Sequence, residues 1–312
     1  MGLVLGSALT FSACSGEKSP PPNSSSTKPI SNDTSPYINY GRPGSDPKVQ
    51  QTGKESQYKI TSRLMTTELP YRVVLPVDYS TNLSERYPVI YLLHGLTGHF
   101  NDWTDRTDLI QTASKYKFII ITPEGNDSWY SDSTVVPNSK YESYIINELI
   151  PEVDKRFRTM PDRQHRILAG LSMGGYGALK FGLKFPDRFS IVGSFSGALR
   201  IADWSESAGG NRSIGKSIDT IFGPVNSPAR KANDIFKMAN ELSPARASSL
   251  PYIYMSCGTE DSMAEGNRAF DQILTGKNVQ HEYRTSRGGH DWTFWGEQMH
   301  AFLEFCNTRL SK

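Results

Sequence analysis

The segment that decides the fold runs from residue 166 to residue 185 and reads RILAGLSMGGYGALKFGLKF. Its first six residues are typical of a strand that enters a turn, and residues 175–185 suit the helix after it. Between them, residues 170–174 match G-x-S-x-G, the pattern that places a serine on a tight strand-to-helix turn. Gly170 and Gly174 supply the small residues that this close approach of two backbones requires. The context predicts that Ser172 is a nucleophile, whereas the alternative is a glycine-rich turn with an ordinary exposed serine.

Buried strands alternate with helices on both sides of this segment. Continuous apolar strands in such an alternation indicate an α/β fold with a mostly parallel sheet covered on both faces. Two strand-like runs between residues 58 and 76 predict antiparallel edge strands that open the sheet. We expect further strands at 88–93, 117–122, 166–171, 189–195, 252–257 and 279–285, and helices at 141–157 (kinked at Pro151), 175–185, 267–274 and 292–309. Residues 203–230 have weak periodicity and predict an insertion over the C-terminal edge of the sheet.

The first fifty-six residues differ in composition from the rest. Residues 1–13 are apolar and end in small residues before Cys14, which is typical of a lipoprotein signal whose cleavage leaves a lipid-modified cysteine. Residues 15–36 contain seven Ser and five Pro, a composition that favours a disordered tether. The predicted organisation is a signal sequence at 1–14, a tether at 15–56 and one catalytic domain at 57–312. An ordinary cleaved signal peptide with an incidental cysteine is the alternative.

The overall composition excludes several classes of protein. The 312 residues include 34 Lys and Arg against 32 Asp and Glu, a balance that excludes a strongly basic nucleic-acid-binding protein. No apolar run is long enough for a membrane span, so the predicted membrane contact is the lipid anchor alone. Three cysteines are too few for a disulfide scaffold, and none forms a CxxC pair typical of zinc sites. Cys257 and Cys306 are predicted to be buried thiols, although the sequence leaves a disulfide between them open.

A serine on such a turn needs a general base that follows it in the chain, since the expected order is Ser, acid, His. Only His281, His290 and His300 follow Ser172. His281 lies in a strand-like alternation and His300 in an amphipathic helix, which favours structural roles for both. His290 lies in a glycine-flanked loop after the last predicted strand and is therefore the predicted base.

The acid is expected on the loop after the strand before last. Asp261 occupies that position, four residues after Cys257 ends the strand YIYMSC. Its predicted role is to hold His290 in the correct tautomer and to stabilise the imidazolium. Glu260 is the neighbouring alternative, and Asp291 lies close to His290 in sequence but on the wrong element.

Two backbone N–H groups are needed to stabilise the oxyanion that forms during acyl transfer. We predict the amide of Met173, which follows the nucleophile, and the amide of Leu96, in the glycine-flanked loop HGLTG at 94–98. His94 in this loop is predicted to form structural hydrogen bonds rather than to act as a catalyst.

Seven motifs resemble those of the putative-esterase (esterase D-like) family of α/β-hydrolases, and the resemblance covers about residues 60–305. They are HGLTG (94–98), GNDSWY (125–130), ELIPEVDKRF (148–157), AGLSMGGYGAL (169–179), FSGAL (195–199), CGTED (257–261) and GGHDWTFW (288–295). The family includes tributyrin, feruloyl and acetylxylan esterases, S-formylglutathione hydrolases and mycolyltransferases. The resemblance implies an α/β-hydrolase fold and assigns Ser172, Asp261 and His290 as the triad, with Leu96 and Met173 at the oxyanion hole.

The expected function is a serine carboxylesterase that needs neither metal nor cofactor. Its expected substrates are small-molecule or polysaccharide-linked esters of short-chain, acetyl or feruloyl groups, met outside the cytoplasm by an anchored or secreted enzyme. Acyl transfer of the mycolyltransferase type stays open, S-formylglutathione hydrolysis and a non-catalytic carbohydrate-binding lipoprotein are less favoured, and the oligomeric state is not predicted. Several aromatic residues lie near the predicted catalytic edge, namely Trp103, Trp129, Tyr130, Trp292 and Trp295. Of these, Trp129, Tyr130 and Trp292 are the candidate pocket residues, and core packing is the alternative for each.

Overall fold

An eight-stranded sheet forms the centre of the fold. The computed structural model describes residues 55–205 and 212–311, and every structural statement below refers to these residues. The predicted signal sequence at 1–14, Cys14 and nearly all of the predicted tether at 15–56 lie outside them. The first strand begins at Glu55, two residues before the predicted start of the folded part. The described residues belong to a single compact unit of the chain.

The sheet is mixed, with an antiparallel beginning and a parallel remainder. Its spatial order is β1-β2-β4-β3-β5-β6-β7-β8. Strand β2 pairs antiparallel with β1 and with β4, and all other neighbours are parallel. The strands are β1 (Glu55–Ser62), β2 (Thr67–Val74), β3 (Val89–Leu93), β4 (Ile119–Pro123), β5 (Arg166–Leu171), β6 (Ile191–Phe195), β7 (Tyr252–Gly258) and β8 (His281–Ser286). The predicted α/β class with antiparallel N-terminal strands is confirmed.

Helices connect the strands and cover both faces of the sheet. They are α1 (Asp102–Arg106), α2 (Leu109–Ala113), α3 (Tyr141–Tyr144), α4 (Ile150–Arg156), α5 (Met173–Lys184), α6 (Arg212–Phe222), α7 (Pro228–Ala232), α8 (Ile235–Asn240), α9 (Pro244–Ser249), α10 (Ala264–Gly276) and α11 (Trp292–Leu310). The predicted insertion at 203–230 contains α6 and the start of α7. None of these helices combines the length and the apolar character that a bilayer crossing requires.

The core lies in two layers, one on each face of the sheet. Strand β3 shows the division clearly, because its alternate side chains point to opposite faces. Val89, Tyr91 and Leu93 pack in one layer, and Ile90 and Leu92 pack in the other. Because both faces are buried, the strand reads as a continuous apolar run rather than as an alternation.

The helical segment between residues 141 and 156 is irregular. The irregularity lies before Pro151, where the sequence predicted a kink, and not at the proline itself. Residues Ile145–Leu149 form a π-helical segment between α3 and α4, and Pro151 lies in the first turn of α4. Proline has no N–H to donate and its ring clashes with the carbonyl four residues earlier. The wider turn before Pro151 makes room for that ring, so the chain continues as a helix.

Candidate active site

Ser172 lies on a strained turn between β5 and α5. Its φ of +52° and ψ of −115° are unusual for a residue with a side chain and cost about 1–3 kcal/mol. A Cβ atom on Gly170 would lie 2.6 Å from the carbonyl carbon of Gly174. One on Gly174 would lie 2.7 Å from the carbonyl oxygens of Leu93 and His94. Only glycine therefore allows β5, α5 and the end of β3 to approach closely enough to form the turn.

His290 lies within hydrogen-bonding distance of Ser172. Its Nε2 is 2.9 Å from the Ser172 Oγ, although the two residues are 118 positions apart in the chain. The loop that carries His290 passes close to the end of β7, since a Cβ atom on Gly258 would lie 2.1 Å from the carbonyl oxygen of Gly288. Its imidazole is 30% exposed, so a ligand can reach it from one side.

Asp261 contacts the other nitrogen of the imidazole. Its Oδ2 and Oδ1 lie 3.0 and 3.1 Å from the His290 Nδ1, and Oδ1 also accepts a hydrogen bond from the Met263 amide at 2.8 Å. Burial alone would raise the pKa of this carboxyl, but the hydrogen bonds, led by that of His290, lower it below its usual value. A carboxylate only accepts, so Nδ1 donates to it and Nε2 is left to accept from the serine hydroxyl.

The neighbouring carboxyl, Glu260, does not face His290. It is exposed and accepts a hydrogen bond from the Arg287 Nε at 3.0 Å. The structure therefore brings Ser172, His290 and Asp261 together in one chain of hydrogen bonds and leaves the alternative acid outside it.

The loop at 94–98 packs directly against the serine turn. A Cβ atom on Gly95 would lie 2.6 Å from the Leu171 Cδ1. Thr97 has a left-handed φ of +61°, and its amide donates to the Asp127 Oδ1 at 2.6 Å. Leu96 lines the cavity above the serine, and Met173 is the first residue of α5, where helix N–H groups have no intrahelical acceptor.

A buried carboxylate, Glu124, supports this loop from behind. It accepts hydrogen bonds from the amides of Phe100 at 3.2 Å and Asn126 at 2.8 Å. Burial would raise its pKa, but the adjacent imidazoles of His94, whose Nε2 lies 3.2 Å from the carboxylate, and of His99, together with the Asn126 amide, hold the pKa well below its usual range. The His94 Nδ1 donates to the Gly95 carbonyl at 2.8 Å, while its Nε2 accepts from a backbone amide. His94 thus forms the structural hydrogen bonds predicted for it.

A cavity of about 520 Å³ opens above Ser172 and His290. The 95–98 loop forms one wall, and Trp292 and Trp295 of α11 form another. Ile214 of α6 also contributes to the lining. Trp292 therefore lines the cavity, as the sequence predicted. The sequence predicted an insertion over this edge of the sheet at 203–230, but its weak periodicity did not indicate which residues of α6 reach the cavity.

Trp129 and Tyr130, the other two candidate pocket residues, are buried and do not line this cavity. The Trp129 Nε1 donates to the Ser217 Oγ at 3.0 Å, and the Tyr130 hydroxyl donates to the His94 carbonyl at 3.0 Å. Both residues have left-handed backbone angles, with φ of +53° and +49°. Their side chains serve the core packing that was the alternative interpretation.

The two cysteines of the described domain are free and buried. Burial raises the pKa of the Cys257 thiol to about 12 and that of Cys306 well above its usual value, so both are protonated at neutral pH. The disulfide that the sequence left open is therefore not formed. Within residues 55–205 and 212–311, no group of His, Cys, Asp and Glu side chains has an arrangement that could hold a metal ion.

Comparison with known proteins shows the family of the chain. The sequence model described as "Putative esterase" matches residues 62–306, nearly all of the described domain. The chain belongs to the putative-esterase family. Membership makes it a carboxylic ester hydrolase with an α/β-hydrolase fold, as the motifs implied.

Relatives within the family carry different names. An acetyl esterase of Caldicellulosiruptor saccharolyticus is 29% identical over 260 residues, which cover 80% of this chain and 97% of that protein. A diacylglycerol acyltransferase/mycolyltransferase of Mycobacterium leprae is 27% identical over 68% of this chain and 72% of its own length. The solved structure of a ferulic acid esterase is 28% identical, with a TM-score of 0.71 over 82% of this chain and 98% of its own.

Proposed function

We propose that this family member is a serine carboxylesterase that works through a covalent acyl-enzyme. The observation that carries the proposal is the hydrogen-bonded series at the floor of the cavity. It joins the Ser172 Oγ to the His290 Nε2 at 2.9 Å and the His290 Nδ1 to the Asp261 Oδ2 at 3.0 Å. In this proposal Ser172 is the nucleophile, His290 the general base and acid, and Asp261 the residue that orients the imidazole.

The proposed reaction has two halves with the same proton carrier. In the first, the His290 Nε2 takes the proton of Ser172 as its Oγ attacks the ester carbonyl, and the proton then passes to the departing alcohol. In the second, His290 activates a water molecule that releases the acid from the serine. The amides of Leu96 and Met173 are the proposed donors to the oxyanion in both halves.

The proposed substrates are esters of short-chain, acetyl or feruloyl acids, including those on plant cell-wall polysaccharides. The similarity to an acetyl esterase and a ferulic acid esterase supports this substrate class. A volume of about 520 Å³ is within the range of small-molecule pockets, and the indoles of Trp292 and Trp295 suit an apolar or aromatic group.

Acyl transfer is the second candidate, and the mycobacterial acyltransferase relative favours it. Transfer and hydrolysis differ only in whether an alcohol or water attacks the acyl-enzyme. Product analysis in the presence of a sugar acceptor distinguishes them, because a new ester forms only if transfer occurs.

The test of the proposed function uses the full chain and a panel of esters. Turnover of p-nitrophenyl acetate, butyrate and octanoate and of methyl ferulate is compared with that of Ser172→Ala. The matched control is Ser190→Ala, since Ser190 precedes β6 at the opposite end of the sheet and should not affect the reaction. A fluorophosphonate should also add covalently to Ser172. Absence of Ser172-dependent turnover on every ester would contradict the proposal.

We also propose that the enzyme acts outside the cytoplasm as a lipoprotein anchored through Cys14. The apolar leader that ends at this cysteine and the Ser- and Pro-rich stretch after it support this location. Expression with a radiolabelled fatty acid tests it. Label that persists in Cys14→Ser, or no label in either protein, would show that Cys14 is not the anchor.

A further inference from the structure

The backbone around His290 gives the imidazole little support. His290 follows Gly288 and Gly289 in a loop between β8 and α11, and Gly288 has a φ of +152°, a value that side-chain-bearing residues rarely adopt. Hydrogen bonds to Ser172 and Asp261 hold the two ring nitrogens, but both act in the plane of the ring. Contacts against the ring itself must therefore restrict its tilt.

Trp295 makes such a contact. Its indole packs edge-to-face against the imidazole, with centroids 4.9 Å apart and an angle of 87° between the planes. Trp295 lies five residues after His290, in the first turns of α11, and is only 6% exposed. Because it is fixed to a 19-residue helix, the indole presents the histidine with a rigid surface.

Two more indoles extend this packing, one on Trp295 and the next on its neighbour. We call Trp103, Trp292 and Trp295 the tryptophan series. Trp292 packs on Trp295 at 5.2 Å and 89°, and Trp103 packs on Trp292 at 5.4 Å and 87°. The Trp103 Nε1 donates to the carbonyl of Leu93 at 3.0 Å, at the end of the central strand β3. The series thus connects the interior of the sheet to the imidazole of His290.

Hydrogen bonding does not account for the presence of an indole at position 295. The Trp295 Nε1 is buried and has no hydrogen-bond partner among the described residues, unlike the Nε1 atoms of Trp103 and Trp129. A buried donor without a partner costs free energy that a phenylalanine would avoid. What the indole provides at this position is a broad ring that reaches both Trp292 and His290.

We propose that Trp295 is a positioning residue that holds the imidazole of His290 in the plane joining Asp261 to Ser172. This inference rests on the proposed function, because it assigns a role in the same proton transfers. Trp295 forms no bond with substrate in this role. Loss of its ring lets the imidazole tilt, and both halves of the reaction slow because His290 carries the proton in each.

The test compares Trp295→Leu with Trp295→Phe on p-nitrophenyl acetate, whose small acyl group makes little use of the cavity wall. We expect kcat to fall roughly tenfold in the leucine variant with KM unchanged, and to recover in part in the phenylalanine variant, whose smaller ring keeps an aromatic contact with His290. Proton NMR gives an independent measure through the low-field resonance of the His290 Nδ1–H bonded to Asp261. That resonance should broaden in Trp295→Leu and remain sharp in Trp295→Phe.

Phe305→Leu is the matched control, since it removes a ring from the same helix that packs on Tyr254 at 5.2 Å, away from the cavity. It should lower the melting temperature without changing kcat. Trp295→Met, with an adaptable apolar chain, allows the same comparison if Trp295→Leu does not fold.

Two results would overturn the inference while leaving the proposed function intact. The first is wild-type kcat and an unchanged resonance in Trp295→Leu. The second is a higher KM with kcat and the resonance unchanged, which would make Trp295 only part of the pocket wall. In contrast, a wild-type protein without Ser172-dependent turnover would refute the proposed function, and the resonance would still report whether Trp295 holds the imidazole.

Discussion

Replacement of Asp261 by asparagine is the sharpest test of the proposed proton transfer. The change keeps the size of the side chain, so the loop between β7 and α10 can keep its shape. The Oδ1 of Asp261 accepts from the Met263 amide at 2.8 Å, which fixes the orientation of an asparagine with its oxygen at that position. The new NH₂ group then lies where Oδ2 now lies, 3.0 Å from the His290 Nδ1. An NH₂ group can only donate, and at 3.0 Å it lies at least as close to Nδ1 as the retained oxygen at 3.1 Å. The exchange therefore favours an Nδ1 that accepts, with the proton of the neutral imidazole on Nε2.

The expected loss follows from this change of tautomer. With a proton on Nε2, His290 cannot accept the proton of Ser172, although the distance between them is unchanged. A comparable exchange in a serine protease triad lowers kcat about 10⁴-fold, and we expect a loss of that order here. It corresponds to about 5.4 kcal/mol of transition-state stabilisation, at about 1.36 kcal/mol for each factor of ten.

The assay is steady-state hydrolysis of p-nitrophenyl acetate by the wild type, Asp261→Asn and Glu260→Gln. Glu260 is the matched control because it is adjacent in sequence, exposed and paired with Arg287 rather than with His290. We expect Glu260→Gln to keep wild-type activity. A folded Asp261→Asn protein that stays within about tenfold of the wild type would refute the reasoning, since the change of tautomer is expected to lower kcat about 10⁴-fold.

Two further predictions concern the supports of the site. In Gly174→Ala, the new methyl group would lie 2.7 Å from the carbonyl oxygens of Leu93 and His94, so we expect a loss of about 1–3 kcal/mol in the free energy of unfolding by urea. In Gly276→Ala the added carbon would meet no atom within 4 Å beyond its chain neighbours and the backbone of its own helix, so we expect no loss in the free energy of unfolding. Equal urea midpoints for the two variants would contradict the prediction. Glu124 has a pKa well below its usual range in the folded protein, so its contribution to stability is complete above the unfolded value of about 4.3 and declines as the pH falls toward the folded value. Urea unfolding at a series of acidic pH values measures this. As the pH falls, the free energy of unfolding should decline more steeply for the wild type than for Glu124→Gln, and parallel pH dependences would contradict the prediction.

The sequence was informative where function depends on local geometry. Ser172 could be identified because its turn needs glycines at fixed spacing on both sides. His290 and Asp261 could be placed because parallel strands bring their C-terminal loops to one edge of the sheet. Both requirements can be recognised in short segments of sequence, and the structure brings the three residues together as expected.

The pocket was harder to predict because side-chain direction depends on tertiary packing. Trp129 and Tyr130 follow β4 on a catalytic-edge loop, yet their left-handed backbone angles are compatible with side chains that pack inside the protein. Trp295 was visible in the motif GGHDWTFW, but its contact with His290 depends on where α11 begins. The π-helical segment at Ile145–Leu149 likewise depends on how Pro151 is accommodated, for which a sequence pattern offers several solutions.

The position of β8 has a consequence for how the protein loses activity. Strand β8 is the last in the sheet and pairs with β7 alone, and its side chains are more exposed than those of the central strands. His290 lies on the loop that follows β8, whereas Ser172 follows β5 in the middle of the sheet. Edge strands open at a lower free energy than central strands. Partial opening at β8 therefore separates His290 from Ser172 before the core unfolds. In mild denaturant the protein should therefore lose its esterase activity while most of its backbone amide protons are still protected from hydrogen exchange.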